Sequence, residues 1–110
     1  MSTHAAAIMH GPIDVPREHP SFAGHFPKFP VLPGAVLLDE ALQAIEIARG
    51  IDLREWHLGS VKFLFAVRPG DSLHLEHALI GGVIRFTIRA AGRIVANGSL
   101  SGASRPDRGA

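Results

Sequence analysis

Residues 19–34 read HPSFAGHFPKFPVLPG, and six of the chain's eight prolines lie between Pro12 and Pro33. Proline fixes φ and donates no backbone hydrogen bond, so this stretch can be neither regular helix nor central strand. Yet Phe22, Phe26, Phe29, Val31 and Leu32 need burial. The segment must therefore be ordered but non-repetitive. A long apolar loop in a small chain is usually functional rather than mere connection.

Residues 35–49, AVLLDEALQAIEIAR, follow as the one convincing helix. Leu38, Ala41, Leu42, Ile45 and Ala48 recur at helical spacing, and Val36, Leu37, Ala44 and Ile47 widen the apolar zone to nearly the whole circumference. That pattern predicts a helix buried on most sides. Pro33-Gly34 precedes it and Gly50 closes it. Its acidic and amide groups are Asp39, Glu40, Gln43 and Glu46, and Asp39 and Gln43 share a face at i, i+4 spacing.

The remainder reads as strands. Residues 8–16 hold one short strand that Pro12 confines to an edge or an end. In 57–68, Val61, Phe63, Phe65 and Val67 alternate with Lys62, Leu64, Ala66 and Arg68; 72–80 and 83–90 alternate likewise and 93–102 closes the series, with turns at Pro69-Gly70-Asp71, Gly81-Gly82 and Ala91-Gly92. His77 breaks the apolar face of its strand. Hairpin logic makes the series an antiparallel meander. One long helix and about five strands is the α+β class, and a sheet wrapped around a central helix satisfies these constraints. Residues 1–7 and 104–110 are expected to be disordered ends of a single domain spanning 1–110.

Composition narrows the function. The chain has 110 residues, enough for one domain. It is 46% apolar and 19% charged, which excludes a disordered chain and suggests that another subunit covers some apolar surface. A net charge of +1 argues against nucleic acid. Cysteine is absent, which removes disulfides, thiolate nucleophiles and Cys-based zinc sites. No apolar run approaches a membrane span, and the N-terminus has no signal-peptide pattern, so a cytoplasmic location is expected. His74 and His77 are three apart and would point to opposite faces of a strand, a poor metal site.

What remains is His25 in the proline loop, with Asp39 and Glu40 on the helix. A histidine and a carboxylate are the minimum for coupled proton abstraction and donation. Gly34 sits where the helix begins, and helix N-termini carry unpaired amides able to bind a carbonyl that gains negative charge. Taken alone, His25 could equally be a loop histidine with a structural hydrogen bond. Asp39 and Glu40 could equally be a solvated polar stripe.

The sequence GHFPKFPVLPGAVLLDEALQ, residues 24–43, resembles the signature of the hot-dog fold 3-hydroxyacyl-acyl carrier protein dehydratases. That signature is G-H-F-P-x-x-P-x-x-P-G, then an acid fourteen positions after the histidine and a glutamine four positions later. Here these fall on His25, Asp39 and Gln43, with Gly34 at the glycine and Pro27, Pro30 and Pro33 in register. VKFLFAVRPGDSL, residues 61–73, is similar to the family's K-F-x-x-x-V-x-P-G-D-x-L hairpin. AAGRIVANGSL resembles its closing G-x-x-V-A-x-G hairpin. The usual fatty-acid-synthesis enzymes are longer, with an extra N-terminal helical segment. They more often carry Glu at the acid position, and Glu40 stands beside Asp39 as the other choice. The chain looks closer to the compact dehydratases of polyketide-like pathways such as aryl polyene synthesis.

The resemblance implies removal of water from a 3-hydroxyacyl thioester to give a trans-2-enoyl thioester. His25 would take the C2 proton, and Asp39 would protonate or orient the leaving hydroxyl. The Gly34 amide would polarise the carbonyl, and Gln43 would hold the carboxylate. Phe26, Phe29, Leu32 and Val36 would line an acyl tunnel. In the family, histidine and acid come from opposite protomers, so a homodimer or a higher oligomer of dimers is implied. The substrate would ride on the phosphopantetheine of an acyl carrier protein, for which Lys28, Arg54, Lys62 and Arg68 are candidate contacts. No metal or diffusing cofactor is called for. Two other readings remain: a hot-dog acyl thioesterase, or a non-catalytic acyl-binding subunit of a heteromeric dehydratase.

Overall fold

The computed structural model describes residues 8–13 and 31–102. The elements are β1 (Ile8–Ile13), α1 (Gly34–Arg49), β2 (His57–Phe63), β3 (Leu73–Ile80), β4 (Val83–Ala90) and β5 (Arg93–Ser101). Among the described residues the five strands form one antiparallel sheet in the order β1-β3-β4-β5-β2. The α+β reading holds, and β1 is an edge strand, as Pro12 requires.

The helix begins and ends where its sequence says. Pro33 is the N-cap residue, and Gly50 closes the helix in the left-handed region at φ 66°. The Gly50 amide donates to the Glu46 carbonyl at 2.8 Å. Leu37, Ala41 and Ile45, four apart, are buried. They meet Leu73, Leu75, Ile84, Phe86, Ile88, Val95 and Leu100 in one core cluster. Val36, Leu38, Leu42 and Ala44 pack around its rim. The opposite stripe is open: Ala35, Asp39, Gln43 and Ala48 are exposed, and Ile47 is 83% exposed. Among the described residues, burial of α1 on most sides is therefore not reached, because the sheet covers one side of the helix.

Three other expectations are corrected. β3, β4 and β5 do form a meander, but β2 leaves the series and pairs with β5 at the far edge. The strand read over 57–68 ends at Phe63. Beyond it, Leu64 and Phe65 both donate to the Val95 carbonyl, at 2.7 and 3.4 Å. Val95 is the extra residue where the β4–β5 register shifts between Ile88 and Arg89, so its carbonyl serves this segment instead of the ladder. Residues 63–67 thus form a strap across the sheet, pinned at its end by an isolated bridge between Leu32 and Val67. Last, His77 does not break its apolar row. It lies buried beside Leu73 and Leu75, 3% exposed, while Leu79 turns outward. His74 is exposed, so the two histidines do face opposite sides.

Among the described residues no helix is long and apolar enough to cross a membrane. The expectations for residues 1–7 and 104–110, and for the part of the first strand after Ile13, lie outside the described residues.

Candidate active site

The Pro33-Gly34 junction sets the site. The Val36 and Leu37 amides both donate to the Pro33 carbonyl at 3.0 Å. That leaves Gly34 and Ala35 as the terminal amides of the helix. Pro33 supplies no side-chain cap, and the first turn holds no acidic residue. The positive end of the helix dipole is therefore not neutralised by its own turn. Beside it opens a cleft of about 240 Å³, walled by Leu32, Gly34, Leu37 and the strap residues Phe63, Leu64, Phe65, Ala66 and Val67.

Gly34 has a steric reason to be glycine. A Cβ there would stand 3.1 Å from Cε1 and Cζ of Phe63. The strap's aromatic ring closes directly over the helix N-terminus. A larger residue would push the ring away and reshape the cleft.

Asp39 is exposed on α1, and Gln43 Nε2 donates to its Oδ2 at 2.7 Å. The expected i, i+4 pairing is realised. Asp39 lies five residues beyond Gly34, about 7.5 Å further along the axis and on the side turned away from the sheet. Gly34 opens into the cleft and Asp39 does not line it. Glu40 is half-buried on the neighbouring position. Leu32 lines the cleft, and Val36 packs against the core. His25, Phe26, Phe29 and Lys28 lie outside the described residues.

The basic residues divide. Arg54 forms a fork on Asp52, with its Nη2 at 2.7 Å from Oδ2. That side-chain hydrogen bond, with the Arg54 backbone amide, lowers the Asp52 carboxyl to about 2. Arg54 is thus matched by its own counter-charge. Lys62 and Arg68 are exposed, and Arg68 borders a second groove. Sequence reasoning missed the strap as a wall of the cleft. The K-F-x-x-x-V block marks its residues, but their alternation reads as continuous strand.

Residues 2–99 match the ApeI-like family, described as ApeI dehydratase. The chain is 31% identical over 99 residues to the 3-hydroxyacyl-acyl-carrier-protein dehydratase FabZ of Ruminiclostridium cellulolyticum, covering 79% of this chain and 70% of the relative. It is 36% identical over 96 residues to the FabZ of Chlamydia caviae, covering 74% of this chain and 62% of the relative, less than two thirds of that protein. Among solved structures it is similar to a chain of the dehydratase heterocomplex ApeI:P from Xenorhabdus doucetiae, with TM-score 0.63 and 23% identity over 90% of this chain and 88% of that one. The fold is the hot-dog fold that the signature implied, and the chain belongs to the ApeI-like dehydratase family.

Proposed function

We propose that this chain, as a single hot-dog domain, removes water from a 3-hydroxyacyl thioester borne on the phosphopantetheine of an acyl carrier protein, in the cytoplasm. The product is a trans-2-enoyl thioester, of the fatty-acid or aryl-polyene kind. The observation that carries this reading is the Gln43–Asp39 hydrogen bond at 2.7 Å on the helix whose N-terminus opens into the cleft. It sets a fixed carboxylate and a free helix end at the signature's spacing.

In this mechanism His25 takes a proton from C2 as base. Negative charge gathers on the thioester oxygen, where the Gly34 amide donates to it. Asp39 passes a proton to the C3 hydroxyl as the C3–O bond breaks and water leaves. The proton on His25 and the vacancy on Asp39 are rebalanced through solvent. Gln43 keeps the carboxyl oriented, and no metal or diffusing cofactor takes part. The cleft residue Leu32, with Phe26 and Phe29, would receive the acyl chain.

Asp39 and the cleft lie on different sides of one helix, which supports a site completed by a second copy. The β2 edge supports the same reading. Among the described residues it is paired only with β5, and Leu58 and Phe63 on it and Leu64 and Phe65 just beyond it are each about half exposed. An edge this apolar is a template for another chain. The ApeI:P dehydratase of Xenorhabdus doucetiae is a heterocomplex, which favours a second reading, a subunit that needs a different partner.

The direct test incubates 3-hydroxyacyl thioester with the wild type and with His25→Ala, following enoyl absorbance and free thiol. Enoyl formation by the wild type, lost by a factor of about 10² or more in the variant, is expected. Full activity in the variant would sink the base assignment. Thiol without enoyl would make the chain a thioesterase. Turnover only after a partner chain is added would establish the second reading.

A further inference from the structure

A second groove adjoins the cleft and has a different chemistry. Its volume is about 400 Å³, and it shares Phe65 and Ala66 with the cleft as a common wall. Its other walls include Arg68, Asp71, Arg93 and Val95. The Arg93 guanidinium carbon sits 4.5 Å from the centre of the Phe65 ring. Stacking of this kind fixes the plane of the guanidinium while leaving its N–H edge free to donate. Phe65 is itself held by the bulged Val95 carbonyl. The aromatic ring that bounds the cleft therefore also positions a cation just outside it.

Among the described residues, the one carboxylate in this groove is already engaged. Asp71 Oδ2 accepts the Arg68 backbone amide at 2.8 Å and closes the Pro69-Gly70 turn. Among the described residues neither Arg68 nor Arg93 makes an ion pair. Arg54 and Arg89, by contrast, each have an acidic partner. Two uncommitted guanidiniums facing one cavity fit an anion with several acceptor oxygens, and a phosphate is the group their fork geometry suits.

Resting on the dehydration reading above, we infer that Arg68 and Arg93 hold the phosphate of the substrate's phosphopantetheine arm, with the thioester carried past Phe65 into the cleft at Gly34. Carrier-bound and coenzyme A thioesters share that phosphate. The groove thus selects substrates by the arm and not by the acyl group.

The test compares one 3-hydroxyacyl group on 4′-phosphopantetheine and on pantetheine, which lacks the phosphate. The wild type should prefer the phosphorylated thioester in kcat/KM. Arg93→Gln and Arg68→Gln should each reduce that preference about three- to tenfold, through KM, and the double variant should reduce it further. An unchanged preference in the double variant would overturn the inference. Failure of the wild type to dehydrate either thioester would instead overturn the reading beneath it. Carrier-bound and coenzyme A substrates, run in parallel, separate the two sources of the arm. On whichever is turned over, the double variant should show the same rise in KM, and a wild-type KM there would also overturn the inference.

Discussion

At the scale of single residues, the pair that most constrains behaviour in solution is His77 with Arg49. Arg49 Nε donates to His77 Nδ1 at 2.8 Å, and its Nη2 donates to the His77 carbonyl at 3.1 Å. A ring nitrogen that accepts from arginine carries no proton, so His77 is the neutral Nε2–H tautomer. Burial lowers its affinity for a proton, and the nearby charges of Arg49 and His10 lower it further. The unfolded chain binds that proton near pH 6.5. The folded chain binds it only at lower pH. Between these values the unfolded state holds more protons, so stability falls as pH drops below 6.5 toward the folded value and is fully present above it. Urea midpoints at pH 8 and pH 5.5 should differ, and His77→Gln, which keeps an acceptor for Arg49 but cannot titrate, should narrow the difference. A residue that looked like a flaw in an apolar strand is a satisfied core histidine. Nothing in its own strand announces this, because its partner lies 28 positions away on the end of the helix. Asp39 and Gln43 were the opposite case, legible from an i, i+4 spacing. For the proposed acid, Asp39→Asn should lower kcat by about 10² or more, and Glu40→Gln by much less. The reverse order in a steady-state assay would move the role to Glu40.

At the scale of elements, close packing explains glycines that the motifs mark but do not justify. Gly98 lies on β5, and a Cβ there would come 2.7 Å from Phe86 Cζ and 3.0 Å from the Ser60 carbonyl oxygen. Phe86 is among the largest fully buried side chains, so its ring has little room to yield. Gly98→Ala should cost about 1–3 kcal/mol, seen as a lower thermal midpoint. Gly11 on β1 has nothing within 4 Å of its would-be Cβ. Gly11→Ala should stay within about 0.5 kcal/mol of the wild type in the same melt. The helix was readable because its limits depend on local chemistry, a Pro-Gly entry and a glycine exit in the left-handed region. The turns of the β3–β5 meander were readable for the same reason. Strand order was not, since the placing of β2 beside β5 depends on non-local pairing that alternation cannot encode. The strap was missed for a related reason. Residues 64–67 alternate like a strand, but the spare carbonyl they follow arises from a bulge in another element.

At the scale of the whole molecule, one chain leaves two kinds of surface open. Phe63, Leu64 and Phe65 are each about half exposed beside the cleft, and Ile47 stands 83% exposed on the stripe that holds Asp39 and Gln43. Covering both surfaces would bury apolar area that the sheet cannot reach, which fits the high apolar fraction of the sequence. In the proposed dimer, His25 and Gly34 of one protomer meet Asp39 of the other. That arrangement has a consequence no intrachain site shares. His25→Ala and Asp39→Asn are each inactive as homodimers, since every site lacks one group. A mixed dimer puts both lesions in one site and leaves the other whole. Co-refolding the two variants in equal amounts makes half of the dimers mixed, each with one working site of two. Activity should then recover to about one quarter of the wild-type value. Mixing without subunit exchange should recover none. If co-refolding also restores nothing while forming dimers of normal mass, histidine and acid belong to the same chain and the site is not shared.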